Sequence, residues 1–531
     1  GTVEMHDDYD VLLHVDGRTA TVTVTHDRER PGYHTLFTNG KPDASIRTIR
    51  WPEGREKHEG PVLAGDEPTQ LLIALIPLMA RPDAAEVAAI GMGSGVSSHT
   101  LLSSPNIEHL DTVEIEPFMA EGAKLFDPIN RRTFTDPRSN IIFNDAKAYF
   151  AAAEASYDIV VSEPSNPWVA GVSSLFTVEF YDEISRYLKD DGLLCQWMHG
   201  YELSDELLLS VLAALDSRFP DYRVYRVGNR DWLILASKQE DGVGELHGEV
   251  FEQWTDFAAD AALLGIHHRS QIDALLVAND EMLRPYLRTR QANSDARPIL
   301  DNGAEKARFF RRSAEALLEL RFIPLPLAEI FGGLERRPYT ERIPDRRTDE
   351  HVLEEPERAL FLMRLFDLDD HGDYVGSAAI GSYFTQRANL AGKPGDAVMA
   401  KAWLDAVYGV YYEAAPWIRL EQTPFWAEVL ETARSNRVTE PVRRAVELFD
   451  AALRQDGGQM RALAMAEIES DDSLVHGRIL TLTAALGLAA DGASVEERRR
   501  FAAEFMREHV AEGSITSEDI AYEIMVAWME Q

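Results

Sequence analysis

The sequence predicts an α/β domain built on a mostly parallel sheet, with a small antiparallel β unit ahead of it and an all-α domain behind. Three observations predict this. An apolar run, Val87 to Ile90, stops at the glycine-rich GMGSG of residues 91–95, and a second run ends on Glu114 and Glu116. From there to Ser237, strand-length apolar runs alternate with segments of helical period. After Ser237 the β pattern stops and amphipathic helical segments take over.

Taken in order, residues 9–38 alternate with the strand period, and Asp16-Gly17 and Asn39-Gly40 are turn dipeptides. They predict an antiparallel unit of about three or four strands within residues 1–60. Residues 61–240 form the predicted α/β domain. EPTQLLIALIPLMA has helical periodicity and leads into the first strand. The predicted strands are Val87–Gly91, Leu110–Glu116, Asn140–Asn144, Tyr157–Glu163, Leu193–Met198, Arg223–Val227 and Trp232–Ser237. Helices are predicted at Ser97–Ser103, Pro117–Phe126, Ala146–Glu154, Thr177–Lys189 and Ser204–Ser217. The last two strands are joined directly by Gly228-Asn229-Arg230-Asp231, a hairpin turn. Seven strands, five in βα units and two in a hairpin, fit a Rossmann-like class I methyltransferase fold. Residues 241–322 read as a helical extension with one loop, NSDARPILD, and 323–350 as a Pro- and Arg-rich linker. Residues 351–531 read as a helical domain without a repeat of fixed length.

The 531 residues exceed what one core accommodates, and the composition is globular, with 45% hydrophobic and 27% charged residues. The net charge of -36 argues against binding a phosphate backbone or an anionic membrane surface. Cys195 is the sole cysteine, so an intrachain disulfide and a cysteine metal cluster are excluded. Its apolar context, LLCQWM, reads as a buried, inert thiol. No run is long enough to span a bilayer, and the start GTVEMHDDYD lacks the features of a signal peptide.

In an open α/β sheet, ligands bind at the carboxyl ends of the strands. Here those ends are, in order, GMGSG, Glu114 with Glu116, Asn144-Asp145, Ser162 to Trp168, and Gln196, Trp197, His199 and Tyr201. Glycines at a strand-to-helix turn admit a ligand close to the backbone, and a carboxylate on the next strand accepts from ribose hydroxyls. The pattern predicts an adenosine-containing ligand. Each part also has a plainer reading. The glycines make a tight turn, Glu116 favours the start of a helix, Asp145 caps one, and His199 is a solvated loop residue.

The series TQLLIALIPL, IGMGSG, VEIEP, FNDAKAYF, YDIVVSEPSNP, SLFTVEFY and LKDDGLLCQ resembles the spermidine synthase family of aminopropyltransferases, over about residues 9–237. It is most similar to the spermidine-synthase-like domains fused to transporter-like membrane segments in bacteria, a likeness NSDARPILD shares. The resemblance implies that Gln70 and Glu114 bind ribose, that Asn144, Asp145 and Ala146 hold adenine, and that Gly91, Gly93, Ser94 and Gly95 line the donor tail. It makes Glu163 the carboxylate that takes the proton from the attacking amine. Thr69, Asn166, Trp168, Gln196, His199 and Tyr201 fall on the acceptor side, with Trp168 to Phe176 as a gate. No metal is implied.

Three positions depart from the family pattern. Asn166 and Ser94 stand where the family has carboxylates, and Thr69 where it has Tyr. Losing two carboxylates weakens the case for a dicationic acceptor, and Ser94 makes intact S-adenosylmethionine plausible beside its decarboxylated form. The leading expectation is aminopropyl transfer from decarboxylated S-adenosylmethionine to a small amine. One alternative is methyl or aminocarboxypropyl transfer from intact S-adenosylmethionine. The other is a non-catalytic adenosyl-nucleoside-binding domain that signals through the C-terminal helices. The expected setting is cytoplasmic, free or as the soluble part of a membrane-anchored protein. The expected partners are a membrane segment upstream or a protein at the C-terminal helices, and a second copy through the N-terminal β unit. No nucleic-acid partner is expected.

Overall fold

The computed structural model describes residues 8–54, 60–152, 156–164, 171–228, 231–337, 354–367, 378–435, 437–506 and 519–531. They fall into two compact units. The first holds the residues up to Asp280 together with Arg290–Glu315, and the second holds Glu281–Thr289 and the rest.

The first unit begins with a four-stranded antiparallel meander, β1 (Tyr9–Asp16), β2 (Thr21–Asp27), β3 (Tyr33–Thr38) and β4 (Lys41–Arg47). Asn39 and Gly40 both have positive φ, 52° and 79°, and Thr38 pairs with Lys41. That is the two-residue turn whose twist matches the strands it joins. β4 lies beyond the alternating stretch of the sequence. Its KPDASIR opens with three residues unsuited to strands, and pairing with β3 overrides that local preference.

The main sheet has the order β12-β10-β11-β9-β8-β5-β6-β7. β5 (Glu86–Ile90), β6 (His109–Glu114), β7 (Ser139–Phe143), β8 (Tyr157–Ser162) and β9 (Leu188–His199) are mutually parallel. β11 (Asp231–Ser237) runs antiparallel between β9 and β10 (Asp221–Val227). This is the expected Rossmann-like methyltransferase architecture with one strand more than the seven predicted. β12 (Leu276–Asn279) pairs antiparallel with β10, in a region the sequence assigns to helices. Four residues flanked by helical segments carry too little alternation to betray a strand.

Helices α1 (Glu67–Ala80), α2 (Val96–Leu101), α3 (Pro117–Ala123), α4 (Arg131–Thr135), α5 (Ala146–Ala152), α6 (Val178–Tyr187) and α7 (Asp205–Asp216) accompany the parallel strands. β8 is buried along its whole length, as a central parallel strand is. Cys195 is fully buried in β9, and desolvation pushes its thiol up, so it is the inert thiol expected.

Three carboxylates fasten the meander to the main sheet. Glu116, at the N-terminus of α3, accepts from the Thr19 and Ala20 amides at 2.6 and 3.3 Å and from Phe118 N at 3.2 Å. Asp66 accepts from Ser45 N at 2.9 Å, and the buried Glu67 accepts from Arg47 N at 2.6 Å and pairs with Arg50. Glu116 is thus both the helix cap foreseen and a tie between two sheets. A Cβ on Gly17 would fall 2.3 Å from the Glu116 carboxylate, which explains the glycine. α3 packs on the meander at Gly122, where a Cβ would touch Val24 and Leu36.

The second unit is helical. Its helices include Leu327–Gly332, Glu354–Asp367, Ala378–Gly392, Ala397–Ala414, Pro424–Arg434, Glu440–Leu453, Gly457–Ile468, Gly477–Ala490 and Ile520–Glu530. Trp403 and Trp426 are fully buried among them. Part of the stretch read as a linker is packed. Arg336 is buried against Glu329 at 2.5 Å, and Arg337 bonds main chain to main chain with Trp417 and Arg419. Gly457 and Gly487 let two helices touch backbone to backbone, since a Cβ on Gly487 would lie 2.7 Å from Gly457 O. Among the described residues, no helix is long and apolar enough to cross a membrane.

Candidate active site

A cavity of about 410 Å³ opens at the carboxyl ends of β5, β6 and β8, where the strand order reverses, and is completed by the meander and by the start of β11.

One half is built on the glycine turn. β5 ends at Ile90, and Gly91, Gly93 and Gly95 all have positive φ. Gly91 also lies against β8: a Cβ there would sit 2.9 Å from Glu163 O. The turn is held from behind by Asn130, which donates to Ser94 O at 2.7 Å, and by Thr133, which donates to Gly95 O at 2.6 Å. Ser94 Oγ donates to Gln70 Oε1 at 2.5 Å and accepts from Val96 N at 3.1 Å, so it serves the start of α2 and orients Gln70. Glu114, at the tip of β6, accepts from Met92 N at 3.0 Å and Glu116 N at 2.8 Å. Burial pushes its carboxyl up to about 7, against the pull of those two amides. Asn144, Asp145 and Ala146 complete this half. Asp145 also accepts from Ala148 N at 2.9 Å, so the capping role holds alongside its place in the cavity wall.

The other half is acidic. Glu163, just past β8, accepts from Ser97 Oγ at 2.6 Å. Burial raises its carboxyl to about 8; the Ser97 hydrogen bond opposes this, and the charges of Asp43 and Asp231 add to it. Asp231 accepts from Thr69 Oγ1 at 2.5 Å, so the threonine holds a carboxylate of the cavity wall. Asp43, Asp66, Trp197 and Tyr201 line the same space. The Tyr201 phenol is pushed up by burial and then by Asp231, Asp66, Asp43 and Glu202. Among the described residues, seven carboxylates line the cavity (Asp43, Asp66, Glu114, Glu116, Asp145, Glu163 and Asp231) beside one lysine, Lys147.

The cavity therefore gathers Thr69, Gln70, Gly91, Gly93, Ser94, Glu114, Asn144, Asp145, Ala146, Glu163 and Tyr201. Three predicted residues do not line it. Gly95 caps α2. Gln196 is buried and donates to Ser162 O and Trp197 O, tying β9 to β8. His199 is buried rather than solvated: it stacks on Tyr201 with ring centres 4.6 Å apart, and burial lowers it to about 3. Asn166, Trp168 and the first part of the predicted gate lie outside the described residues; from Gly171 the gate lines the cavity through Val172, Ser174 and Leu175.

Sequence reasoning missed Asp43, Asp66 and Asp231, and with them the charge of the acceptor half. Asp231 looks like a hairpin-turn residue, Asp66 precedes a helix, and Asp43 lies in the strand the alternation did not reach. The inference that two lost carboxylates weaken cation binding is corrected by these three. What Asn166 and Ser94 do not supply, the meander and β11 bring from elsewhere.

Residues 67–229 match the spermine/spermidine synthase domain family. Similar curated proteins are the polyamine aminopropyltransferases of Clostridium perfringens, 28% identical over 194 residues (35% of this chain, 66% of the relative), and of Lachnospira eligens, 30% identical over 158 residues (29% and 55%). The chain thus spans between about half and two thirds of the length of these relatives. Among solved structures, the spermidine synthase from Thermotoga maritima is 19% identical, covering 46% of this chain and 78% of that one, with a TM-score of 0.38.

Gly91 gives the most direct check on the geometry. Gly91→Ala demands a left-handed alanine and drives a methyl into the Glu163 carbonyl. The backbone term alone costs about 1–2 kcal/mol. A clear fall in melting temperature is expected, with loss of nucleoside binding in calorimetry.

Proposed function

We propose that this chain, whose residues 67–229 belong to the spermine/spermidine synthase domain family, transfers an aminopropyl group from decarboxylated S-adenosylmethionine to a small di- or polyamine. The observation that carries the proposal is the shared cavity: a glycine turn with Glu114 and Asp145 on one side, and Asp43, Asp66, Glu163 and Asp231 on the other.

The roles follow from charge and placement. Glu114 and Gln70 would accept from the ribose hydroxyls, and Asn144, Asp145 and Ala146 would border the adenine. The carboxylates supply a negative field for two cationic partners, the sulfonium donor and an ammonium acceptor. At an effective dielectric of about 20, a charge pair 4 Å apart is worth about 4 kcal/mol. The same field makes a bound ammonium harder to deprotonate, so attack needs a base. Glu163, raised to about 8 by burial and then by its acidic neighbours, is better matched to an amine than an ordinary carboxylate. The amine nitrogen bonds to the methylene carbon beside sulfur and the C–S bond breaks. Its electron pair stays on sulfur as methylthioadenosine leaves, and Glu163 takes the amine proton. In-line positioning supplies most of the acceleration.

A second reading rests on Ser94. With no carboxylate in the glycine turn, intact S-adenosylmethionine fits the same half, and methyl or aminocarboxypropyl transfer follows. Calorimetric titration with S-adenosylmethionine, its decarboxylated form and methylthioadenosine separates the two; tight binding of the intact form alone favours the second.

Two outcomes are expected. The acid limb of kcat/KM for the acceptor falls near pH 8, because the base must be ionised and activity is lost as pH drops through its pKa. Glu163→Gln abolishes that limb and most turnover while retaining methylthioadenosine. Asp231→Ala raises the acceptor KM by about ten- to a hundredfold, the worth of one hydrogen bond to a charged group. A normal pH profile in Glu163→Gln would remove it as the base.

A further inference from the structure

The motif NSDARPILD, residues 293–301, lies outside the family match and takes no part in the reaction just described. Its first residue is unusually committed. Asn293 is 1% exposed, and its main-chain and side-chain groups are all used. Its N–H donates to Ser210 O in α7 at 2.9 Å, and its carbonyl accepts from Val178 N at 3.0 Å. Its side chain donates to Phe176 O at 2.9 Å and accepts from Leu300 N at 3.1 Å. Ser294 and Arg297 close a tight turn behind it. Asp295 N then donates to Glu179 Oε2 at 2.8 Å, and Asp301 accepts from Ser173 Oγ at 3.0 Å.

Apart from the Ser294–Arg297 turn and the bonds to Ser210 and Leu300, every one of these bonds ends on residues 173–179. That segment continues the cavity wall. Val172–Phe176 is a turn of 3-10 helix, in which residues three apart share a side. Val172 and Leu175, with Gly171 and Ser174, line the cavity. Ser173 and Phe176 form the opposite side, both buried, and these are the two residues that 293–301 holds. Among the described residues, the wall's other side-chain hydrogen bonds are local: Ser174 Oγ to Gly171 O and Thr177 Oγ1 to Ser174 O. Local bonds set the shape of the turn but not its distance from the sheet. The long-range bonds from 293–301 do that. Lys147, which lines the cavity beside Ala146, also lies 4.0 Å from Asp295, so the same loop reaches the nucleoside side.

We propose that residues 293–301 are a clasp that fixes the cavity wall Gly171–Leu175 from behind, with Asn293 and Asp301 as positioning residues for substrate. The unit that performs the chemistry then extends past the family domain to include this loop. The kinetic side of the inference rests on the transferase reading; the structural side stands independently of it.

Hydrogen–deuterium exchange over residues 171–179 of the full chain, with steady-state kinetics, tests it. Asn293→Ala and the milder Asp301→Ala are expected to speed exchange there and lower acceptor kcat/KM by about tenfold or more, the worth of one or two hydrogen bonds. Methylthioadenosine affinity should change much less. Asp301→Asn keeps an oxygen for Ser173 and should restore both readouts, which a general loss of stability would not do. Unchanged exchange in Asp301→Ala overturns the clasp, as does faster exchange with unchanged acceptor kinetics. If the wild-type chain transfers nothing to any amine, the transferase reading fails, and the exchange rates still decide whether the clasp exists.

Discussion

Asp43, Asp66, Glu163 and Asp231 share one partly closed cavity, and like charges there repel one another strongly unless something holds them or neutralises them. The fold does the holding. Ser97 bonds Glu163, Thr69 bonds Asp231, and the main chain of Ser45 bonds Asp66. Burial raises the Glu163 carboxyl to about 8 and raises the Tyr201 phenol, and the neighbouring carboxylates add to both shifts. A cavity in this state favours cations and accepts protons. In the proposed transfer, the shared negative field draws the amine and burial raises the base that deprotonates it.

That arrangement depends on pieces distant in sequence. The meander contributes Asp43 and is locked to the sheet by Glu116, Glu67 and Asp66. β11 contributes Asp231, and the loop 293–301 holds the wall. None of Asp43, Asp66, Asp231 or the loop lies within residues 67–229. The matched segment carries Glu114, Asp145 and Glu163, while Asp43 comes from the meander and Asp231 from β11.

The nucleoside half was legible in the sequence because it is local. Gly91, Gly93, Glu114 and Asp145 sit at successive strand ends, and strand ends can be counted from hydrophobic periodicity. The parallel strands and the final hairpin were legible for the same reason. The acceptor half is non-local. Asp231 reaches the cavity through antiparallel pairing of β11 with β9, and Asp43 through a strand whose local pattern is poor. The expectation of a charge-poor acceptor site followed Asn166 and Ser94 along the chain, where charge loss is visible and replacement from elsewhere is not. His199 and Gln196 erred the opposite way: polar residues at a strand end can be structural, and both are buried. β12 was invisible because its pairing partner, not its sequence, makes it a strand.

Product analysis decides the chemistry. The full chain is incubated with decarboxylated S-adenosylmethionine and an isotopically labelled diamine, and the mixture is resolved by mass spectrometry. The structure predicts methylthioadenosine together with the diamine extended by one aminopropyl group. Methylated amine and S-adenosylhomocysteine from the intact donor, or bound nucleoside with no product across a panel of amines, would contradict it.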